Sequence, residues 1–319
     1  MTRRTRSRQR IAPRTRPSVA TAPSNLNGIL VIDKPSGWTS HDVVAKARGI
    51  THQRRIGHTG TLDPMATGVL VLCLGQATRL VEYMTRHDKR YEGEITLGVT
   101  TDTDDAEGDE LGRAPVPEVS DRDLRRIEAA FTGSLLQRPP AYSAIKIDGK
   151  RSYARARAGE RVDLPERPVT VTRLHLELAA PTRLRIEAHC GPGTYIRSIA
   201  RDIGELFGCG AHLSGLRRTA VGGFSLRDSL TLEDLATAVS DDTLQDLLLQ
   251  PDEGVGDLQA AIVGTSQAAL LRHGAVVSTT DSAFVAAAVA RIYDSAGSFT
   301  GMGSVLETGH VRALKLLNL

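Results

Sequence analysis

A single carboxylate on a glycine-rich loop is the first candidate for chemistry in this sequence. Residues 57–68 read GHTGTLDPMATG, and the glycines together with Pro64 predict a loop. Asp63 lies between the apolar Leu62 and the rigid Pro64, so the loop could hold its carboxylate against a substrate as nucleophile or base. The alternative is an aspartate that only shapes the turn. No Lys-Ser/Thr pair follows at Walker spacing and the G-x-G-x-x-G pattern is missing, which argues against nucleotide hydrolysis.

Two other side chains could assist such a carboxylate. Arg197 follows the sequence GTYI at the predicted start of a helix. A guanidinium can orient a carboxylate and keep it ionised, although an exposed helix position is the alternative for this arginine. Tyr91 ends the sequence KRY, and an aromatic ring beside cations could stack on a nucleic-acid base. A place in the core face of a strand explains Tyr91 equally well.

Basic charge is concentrated in two segments, although the net charge of the 319 residues is only +3. Residues 1–26 contain seven arginines and no acid, and residues 138–173 contain nine basic against four acidic residues. The second segment also holds Tyr142 and Tyr153, a combination suited to RNA, with a solvated charged face as the alternative. Acidic residues gather in 101–120, predicted to be a solvated loop, and in 221–254. Both acidic stretches are expected to face away from a polyanionic partner.

The composition predicts a folded protein of the reducing cytosol. Apolar residues make up 40% of the chain and charged residues 24%, which excludes wholesale disorder. Three cysteines without C-x-x-C spacing argue against a disulfide framework or a zinc knuckle. No apolar run approaches the roughly 20 residues of a membrane span. Prolines in the first 26 residues would break the amphipathic helix of a mitochondrial presequence, so a disordered basic arm is the better interpretation.

The candidate residues must be positioned by a framework of alternating strands and helices. Strands are predicted over 28–33, 69–74, 91–99, 168–178, 182–190 and 216–224. Helices are predicted over 40–49, 77–86, 121–132, 195–207 and 230–239, the first with Thr39 as its cap. The sequence PDEGVGD at 251–257 predicts a domain boundary, followed by a small β module.

Residues 57–80, GHTGTLDPMATGVLVLCLGQATRL, closely resemble the catalytic motif of the bacterial TruB-type tRNA pseudouridine synthases. The resemblance extends through LVIDKPSGWTS (30–40), DKRY (88–91), RPPAYSAIK (138–146), GTYIRSIAR (193–201) and HLSGLRRTAVG (212–222). It implies an α+β fold, the pseudouridine synthase fold, in which helices flank a mixed, mostly antiparallel central sheet and a small β-rich PUA-like domain follows. The implied division is a disordered basic arm at 1–26, a catalytic domain at 27–250 with a basic RNA-gripping insertion at about 137–167, and the PUA-like domain at 255–319.

By this resemblance the protein isomerises uridine-55 in the T-arm of tRNA to pseudouridine, with no cofactor or metal. Asp63 would be the essential carboxylate, Arg197 its ion-pair partner, and Tyr91 the ring that stacks on the flipped uracil. The carboxylate could attack C1′, attack C6, or remove a proton from C2′ to give a glycal, and the sequence does not choose among them. All three routes need the base out of its stack, so base flipping is implied. A cytoplasmic monomer is expected, since one tRNA needs one site.

The resemblance also assigns residues that bind the substrate. Tyr195 and Leu216 would form walls of the uracil pocket, and His58 would fill the space left by displaced T-loop bases. Lys34 and Arg79 would contact the RNA or brace the site. Position 79 departs from the family's lysine, and arginine keeps the charge with a different geometry.

Two alternatives remain. A guide-RNA-dependent synthase of the dyskerin type carries a similar aspartate motif, but the basic insertion resembles the stand-alone bacterial form. A non-catalytic tRNA-binding or folding factor would be marked by loss of Asp63, Tyr91 or Arg197, and all three are present.

Overall fold

The computed structural model describes residues 26–143, 146–147, 150–151, 164–279 and 288–319. The predicted arm at 1–26 lies outside these residues except for its last position. Most of the predicted insertion also lies outside them, and of its interior only the backbone of two short paired strands is described.

The strands in chain order are β1 Gly28–Lys34, β2 Ile56–His58, β3 Thr67–Leu74, β4 Lys89–Leu97, β5 Val99–Thr101, β6 Glu110–Arg113, β7 Gly133–Gln137, β8 Lys146–Ile147, β9 Lys150–Arg151, β10 Arg167–Ala180, β11 Arg183–Cys190, β12 Ala211–Val221, β13 Phe224–Ser225, β14 Gln259–Val263, β15 Val276–Ser278, β16 Val289–Asp294, β17 Phe299–Val305 and β18 His310–Leu316. The α-helices are Ser40–Thr51, Val81–Met84, Asp121–Ala130, Ile196–Phe207, Leu232–Ser240, Leu244–Leu247 and Thr265–Arg272. Short 3₁₀ helices span Gly75–Leu80, Leu226–Asp228 and Pro251–Val255.

The main sheet has nine strands, and its path runs β1-β3-β12-β4-β11-β10-β7, with β2 paired to β3 and β13 to β12. Every pairing is antiparallel except that of β12 with β3. This confirms the expected mixed, mostly antiparallel sheet flanked by helices. The parallel pair matters for the site, because it sets the start of β3, just after the Asp63 loop, beside β12.

Burial follows the hydrophobic pattern of each strand. The continuous apolar runs of β1 and β3 are covered on both faces. The helices Ser40–Thr51 and Leu232–Ser240 cover one face, and the helical segments 75–84 and Pro251–Val255 together with the C-terminal module cover the other. β10 and β11 alternate instead, and their buried face packs on the core that contains helix Ile196–Phe207. Helix Ser40–Thr51 begins as predicted, since Thr39 and Asp42 form a reciprocal capping box.

Two predicted elements are wrong in part. The helix expected over 77–86 is a 3₁₀ helix, Gly75–Leu80, followed by one α-helical turn. Its hydroxyl-bearing Thr78 donates to the Gly75 carbonyl at 2.7 Å, and Gly75 itself has a φ of 57° that a helix interior does not use. The strand expected over 216–224 begins earlier, at Ala211, because β12 pairs along almost the whole of β4.

The C-terminal module is β-rich as expected. Its five strands follow the order β14-β16-β17-β18-β15, with helix Thr265–Arg272 packed on them. Met302 and Leu317 from this module are buried in one cluster with Ile29 and Val71 of the main sheet. Within the described ranges, no helix has the length and apolarity that crossing a bilayer would require.

Candidate active site

A buried lysine holds the residue that follows Asp63 in its loop. Lys34, at the end of β1, is fully buried, and its ammonium donates to the carbonyls of Pro35 at 2.8 Å, Trp38 at 2.6 Å and Pro64 at 3.0 Å. Three carbonyls satisfy all three donors of the ammonium. Burial, the main cause, lowers the pKa of Lys34 to about 8. The side chain therefore lies within the protein and braces the residue next to Asp63.

A second clasp holds the other side of Asp63. The hydroxyl of Ser40, fully buried at the start of its helix, accepts from the Leu62 amide at 2.8 Å and donates to the Leu62 carbonyl at 3.1 Å. The amide of Gly37 donates to the Pro64 carbonyl at 2.8 Å. The residues on both sides of Asp63 are thus fixed by the segment 34–40, which joins two motifs that are separate in the sequence.

Arg197 forms an ion pair with Asp63. Its Nη2 lies 2.9 Å from Oδ1 of the aspartate. The arginine side chain is 5% exposed and that of Asp63 is 33% exposed, so the aspartate is partly buried while its partner is almost fully buried. The interpretation of Arg197 as an exposed helix residue is therefore wrong. The first turn of helix Ile196–Phe207 instead points this guanidinium into the site.

The same guanidinium joins a second carboxylate to the site. Nη1 of Arg197 lies 3.3 Å from Oδ2 of Asp105, which is also 5% exposed, and donates to the Thr103 carbonyl at 3.0 Å. Nη2 donates to the Tyr142 carbonyl at 3.1 Å. The prediction that 101–120 is a solvated loop is wrong for this part of it, since Asp105 is buried. The reason is that Asp105 finds a cation 92 positions later in the chain, which its local sequence does not reveal.

The charge state of Asp63 reflects a balance of burial and ion pairing. Burial is the larger influence and raises the pKa of the carboxyl above its usual 3.8, while Arg197 opposes this shift and Asp105 adds to it. One guanidinium is thus shared between two carboxyl groups. The Asp63 oxygen not bound to Arg197 is the group best placed to attack a substrate or to accept a proton.

This balance predicts how activity depends on pH. If the ionised carboxylate does the chemistry, the single-turnover rate should fall as the pH drops through the raised pKa of Asp63, so the acid limb should lie above the ordinary value of 3.8. Substrate affinity and circular dichroism, measured at each pH, separate this titration from weaker binding and from acid unfolding. An acid limb at or below the ordinary aspartate value would contradict the prediction.

Tyr91 and Leu216 lie on the same face of neighbouring strands. Tyr91 on β4 is directly opposite Arg218 on β12, and Gly93, two residues on, is opposite Leu216. A Cβ at Gly93 would approach the Gly215 carbonyl to 2.7 Å, so glycine is required for the close approach beside Leu216. Both side chains are half-buried against the core that includes helix Ile196–Phe207, and Asp63 is close enough to act electrostatically on the phenol.

Tyr195 is fixed at the start of the helix that carries Arg197. Its backbone N–H donates to Oε1 of Gln137 at 2.9 Å, and its carbonyl accepts from Nε2 of the same side chain at 3.0 Å. The guanidinium of Arg167 lies 4.9 Å from the centre of the Tyr195 ring. Gln137, which is buried, therefore ties the end of β7 to this helix.

His58 is held neutral at the end of β2. Burial, with smaller contributions from His41 and Arg218, lowers its pKa to about 4. The ring packs edge-on against that of His41, with centroids 5.5 Å apart. An uncharged ring two residues before Gly60 suits contact with a base better than contact with a phosphate.

Arg79 is not brought together with Asp63. It is exposed in the 3₁₀ helix Gly75–Leu80, which follows the last residue of β3. The Asp63 loop precedes the first residue of that strand, so the two lie at different ends of it. Its neighbour Thr78 accepts from Nε of Arg55 at 2.6 Å. Arg79 thus belongs with Arg55 on another part of the surface.

Three residues of the site are not predicted by the sequence, namely Asp105, Gln137 and Arg218. Each is a polar side chain that only the fold buries. An apolar position before Gln137 is the only local signal, since the segment LRRTAV around Arg218 shows no alternation of apolar and polar residues. Among the described histidines, cysteines and carboxylates, no group of three is arranged to hold a metal ion.

Three consecutive family models match this chain. Residues 48–196 match the TruB family pseudouridylate synthase N-terminal domain, residues 197–255 the tRNA pseudouridylate synthase B C-terminal domain, and residues 260–317 the pseudouridine synthase II TruB C-terminal domain. A tRNA pseudouridine synthase B from Xanthomonas oryzae pv. oryzae is 42% identical over 304 residues, which cover 95% of this chain and 97% of the relative. The chain belongs to the TruB family of pseudouridine synthases.

Another TruB relative, the tRNA pseudouridine synthase B of Synechococcus sp. (strain WH7803), is 48% identical over 237 residues, or 72% of this chain and 78% of that protein. Solved structures support the same fold at lower identity. A Cbf5-Nop10-Gar1 complex contains a chain with a TM-score of 0.71 and 25% identity, covering 92% of this chain and 84% of its own. An H/ACA RNP bound to a substrate RNA containing 2′-deoxyuridine gives 0.71 at 23% identity, covering 92% and 85%. The expected pseudouridine synthase fold with a β-rich C-terminal domain is confirmed for this TruB family member.

Proposed function

We propose that this TruB family member isomerises uridine-55 in the T-arm of tRNA to pseudouridine, acting as a monomer in the cytoplasm. The observation that carries the proposal is the Asp63–Arg197 pair, with 2.9 Å between Oδ1 and Nη2, on a loop clasped on both sides of the aspartate. The names of the relatives, which are tRNA pseudouridine synthases B, support tRNA as the substrate.

The reaction is an isomerisation whose atoms balance without a co-reactant. The N1–C1′ bond of uridine breaks, the uracil turns, and a C5–C1′ bond forms. C5 then loses its proton and N1 carries one. Asp63 would attack C1′, attack C6, or remove the C2′ proton. Each route needs the carboxylate to be ionised, and each needs the uridine to be flipped out of the base stack.

The pocket residues would act on the flipped base. Tyr91 would stack on the uracil, with its hydroxyl close to the proton that leaves C5, and Leu216 beside it would form an apolar wall. Tyr195 would form the opposite wall, held in place by Gln137. His58 would fill the space left by displaced T-loop bases, for which its neutral ring is suited.

Lys34 and Arg79 take different roles in this proposal. Lys34 braces the loop through Pro64, whereas Arg79 would contact RNA. Arg79 lies with the exposed Arg54 and Arg55 near the start of β2. Asp63 is the only acidic residue between positions 43 and 81, and the exposed Glu82 follows three residues after Arg79. A group of exposed arginines favours the phosphates of an RNA stem.

The contribution of these arginines can be measured through salt dependence. Changing Arg54 and Arg79 together to glutamine should weaken tRNA binding and flatten the plot of log affinity against log salt, by about 0.7–0.9 for each phosphate that the protein no longer neutralises. The double variant Arg122→Gln, Arg125→Gln removes two exposed arginines from helix Asp121–Ala130 and should leave the slope unchanged. Equal slopes for both double variants would show that Arg54 and Arg79 do not contact phosphate.

The position modified is tested directly on an unmodified tRNA transcript. Carbodiimide mapping after incubation with the protein alone should give one new stop, at position 55, and a transcript with cytidine at that position should give none. Modification elsewhere would contradict the proposed specificity. Modification that requires an added guide RNA would favour the dyskerin type of enzyme instead.

A further inference from the structure

Among the residues that the structure describes, the largest fully buried side chain is an arginine to which the proposed mechanism gives no role. Arg218 on β12 is 1% exposed. Its guanidinium donates from Nε to the Val69 carbonyl at 2.8 Å, from Nη2 to the Gly60 carbonyl at 2.9 Å and from Nη1 to the Thr61 carbonyl at 3.4 Å. It therefore reaches from the sheet into the loop that ends at Asp63.

This buried cation has no carboxylate partner in the part of the chain that the structure describes. Its neighbours include other cations, and its charge helps to lower the pKa values of Lys34 and Lys89, each to about 8, although burial is the main cause for both. A buried charge without a counter-charge destabilises a protein relative to an apolar side chain of similar size. Packing alone therefore does not explain an arginine at this position.

The same guanidinium belongs to the residue that faces Tyr91 across the sheet. Arg218 and Tyr91 are directly opposite each other on β12 and β4, so both side chains project from the same face of the sheet. Burial raises the pKa of Tyr91, and the Arg218 cation opposes this shift.

The backbone of Arg218 is fixed as firmly as its side chain. Its register partner on β3 is Gly68, which has a φ of 99°, and a Cβ there would lie 2.2 Å from the Arg218 carbonyl oxygen. β3 and β12 thus approach too closely for any other residue at position 68. The guanidinium extends from a point that does not move relative to the Asp63 loop.

We propose that Arg218 is a positioning residue that holds the Asp63 loop in place beside Tyr91. By holding the carbonyls of Gly60 and Thr61 it fixes the approach of the chain to Asp63, and its cation lies on the face of the sheet from which the ring that would stack on uracil projects. Lysine would not replace it, because one ammonium cannot span three separated carbonyls as a planar fork does. This inference rests on the roles proposed for Asp63 and Tyr91.

The test separates chemistry from binding. With enzyme in excess over tRNA, Arg218→Met should lower the single-turnover rate about a hundredfold while changing Kd by less than about threefold. Arg218→Lys should lose at least about tenfold in rate. Arg217→Met is the matched control, because this adjacent arginine pairs with Asp33 at 2.7 Å and is 42% exposed. Its rate should stay close to that of the wild type.

A second measurement does not depend on activity. Ultraviolet difference titration, with the Tyr91→Phe variant subtracted in each background, reports the phenol of Tyr91 alone. Arg218→Met should move its midpoint to higher pH, because the cation that favours the phenolate is lost. If Arg218→Met fails to fold, the rate and Kd of Arg218→Lys decide the matter.

A wild-type rate in a folded Arg218→Met or Arg218→Lys variant would overturn the inference, as would a loss confined to Kd. An unmoved Tyr91 titration in folded Arg218→Met would overturn the link to the phenol. Full activity of Asp63→Asn would instead contradict the proposed function, and the Tyr91 titration would still test Arg218.

Discussion

Replacing Asp63 by asparagine should abolish pseudouridine formation while leaving tRNA binding almost unchanged. The amide keeps the shape of the side chain but cannot act as a nucleophile or base, so the single-turnover rate should fall by at least about ten-thousandfold. Binding should persist, because contacts to phosphate at a distance from the aspartate carry most of the affinity. Carbodiimide mapping and filter binding on the same tRNA measure the two quantities.

Asp33→Asn is a well-matched control for this experiment. Asp33 is also paired with an arginine, at 2.7 Å, and its side chain is 28% exposed, compared with 2.9 Å and 33% for Asp63. Loss of this carboxylate should leave the rate nearly intact, since no part of the proposed mechanism uses it. Undiminished turnover by Asp63→Asn would remove the aspartate from the mechanism, and equal losses in both variants would point to a general effect of charge.

Replacing Arg197 by methionine should damage both stability and activity. Asp105 is 5% exposed and would lose its cation, and removing one partner of a buried ion pair costs about 3–5 kcal/mol in the free energy of unfolding. Asp63 would lose the influence that opposes burial, so its pKa should rise further. The free energy of unfolding, measured with a denaturant, and the single-turnover rate should therefore both be lower than in the wild type.

The double variant Arg197→Met, Asp105→Asn distinguishes the two effects. Neutralising Asp105 removes the unpaired buried charge, so part of the lost stability should return. Activity should not return, because Asp63 still lacks the guanidinium that orients it. Recovery of activity in the double variant would show that Arg197 serves the fold rather than the chemistry. A folding free energy unchanged in Arg197→Met would contradict the buried ion pair itself.

Local chemistry was predictable from the sequence wherever the signal itself was local. The capping box of Thr39 and Asp42 correctly predicts the start of its helix. The continuous apolar runs of β1 and β3 correctly predict buried strands. Contacts between residues far apart in the chain have no comparable signal in the local sequence. Asp105 reads as one acid in a polar stretch until the fold places it against Arg197.

Arg79 shows the opposite error, in which closeness in the sequence suggests closeness in space. It belongs to the same continuous motif as Asp63, but the eight residues of β3 lie between them. A strand of that length spans about 25 Å, which places the two residues at opposite ends of it. A motif can therefore be unbroken in the sequence and still serve two different surfaces.

The clasp around Asp63 ties its loop to the core of the molecule. Lys34 ends β1, a strand covered on both faces, and Ser40 begins a helix that packs on it, and both residues are completely shielded from solvent. Loops normally open on their own at a small cost in free energy, whereas core elements open only when the whole domain does. We therefore expect this loop to belong to the same cooperative folding unit as β1 and the helix Ser40–Thr51, and hydrogen exchange at its amides should report their opening rather than a separate local one.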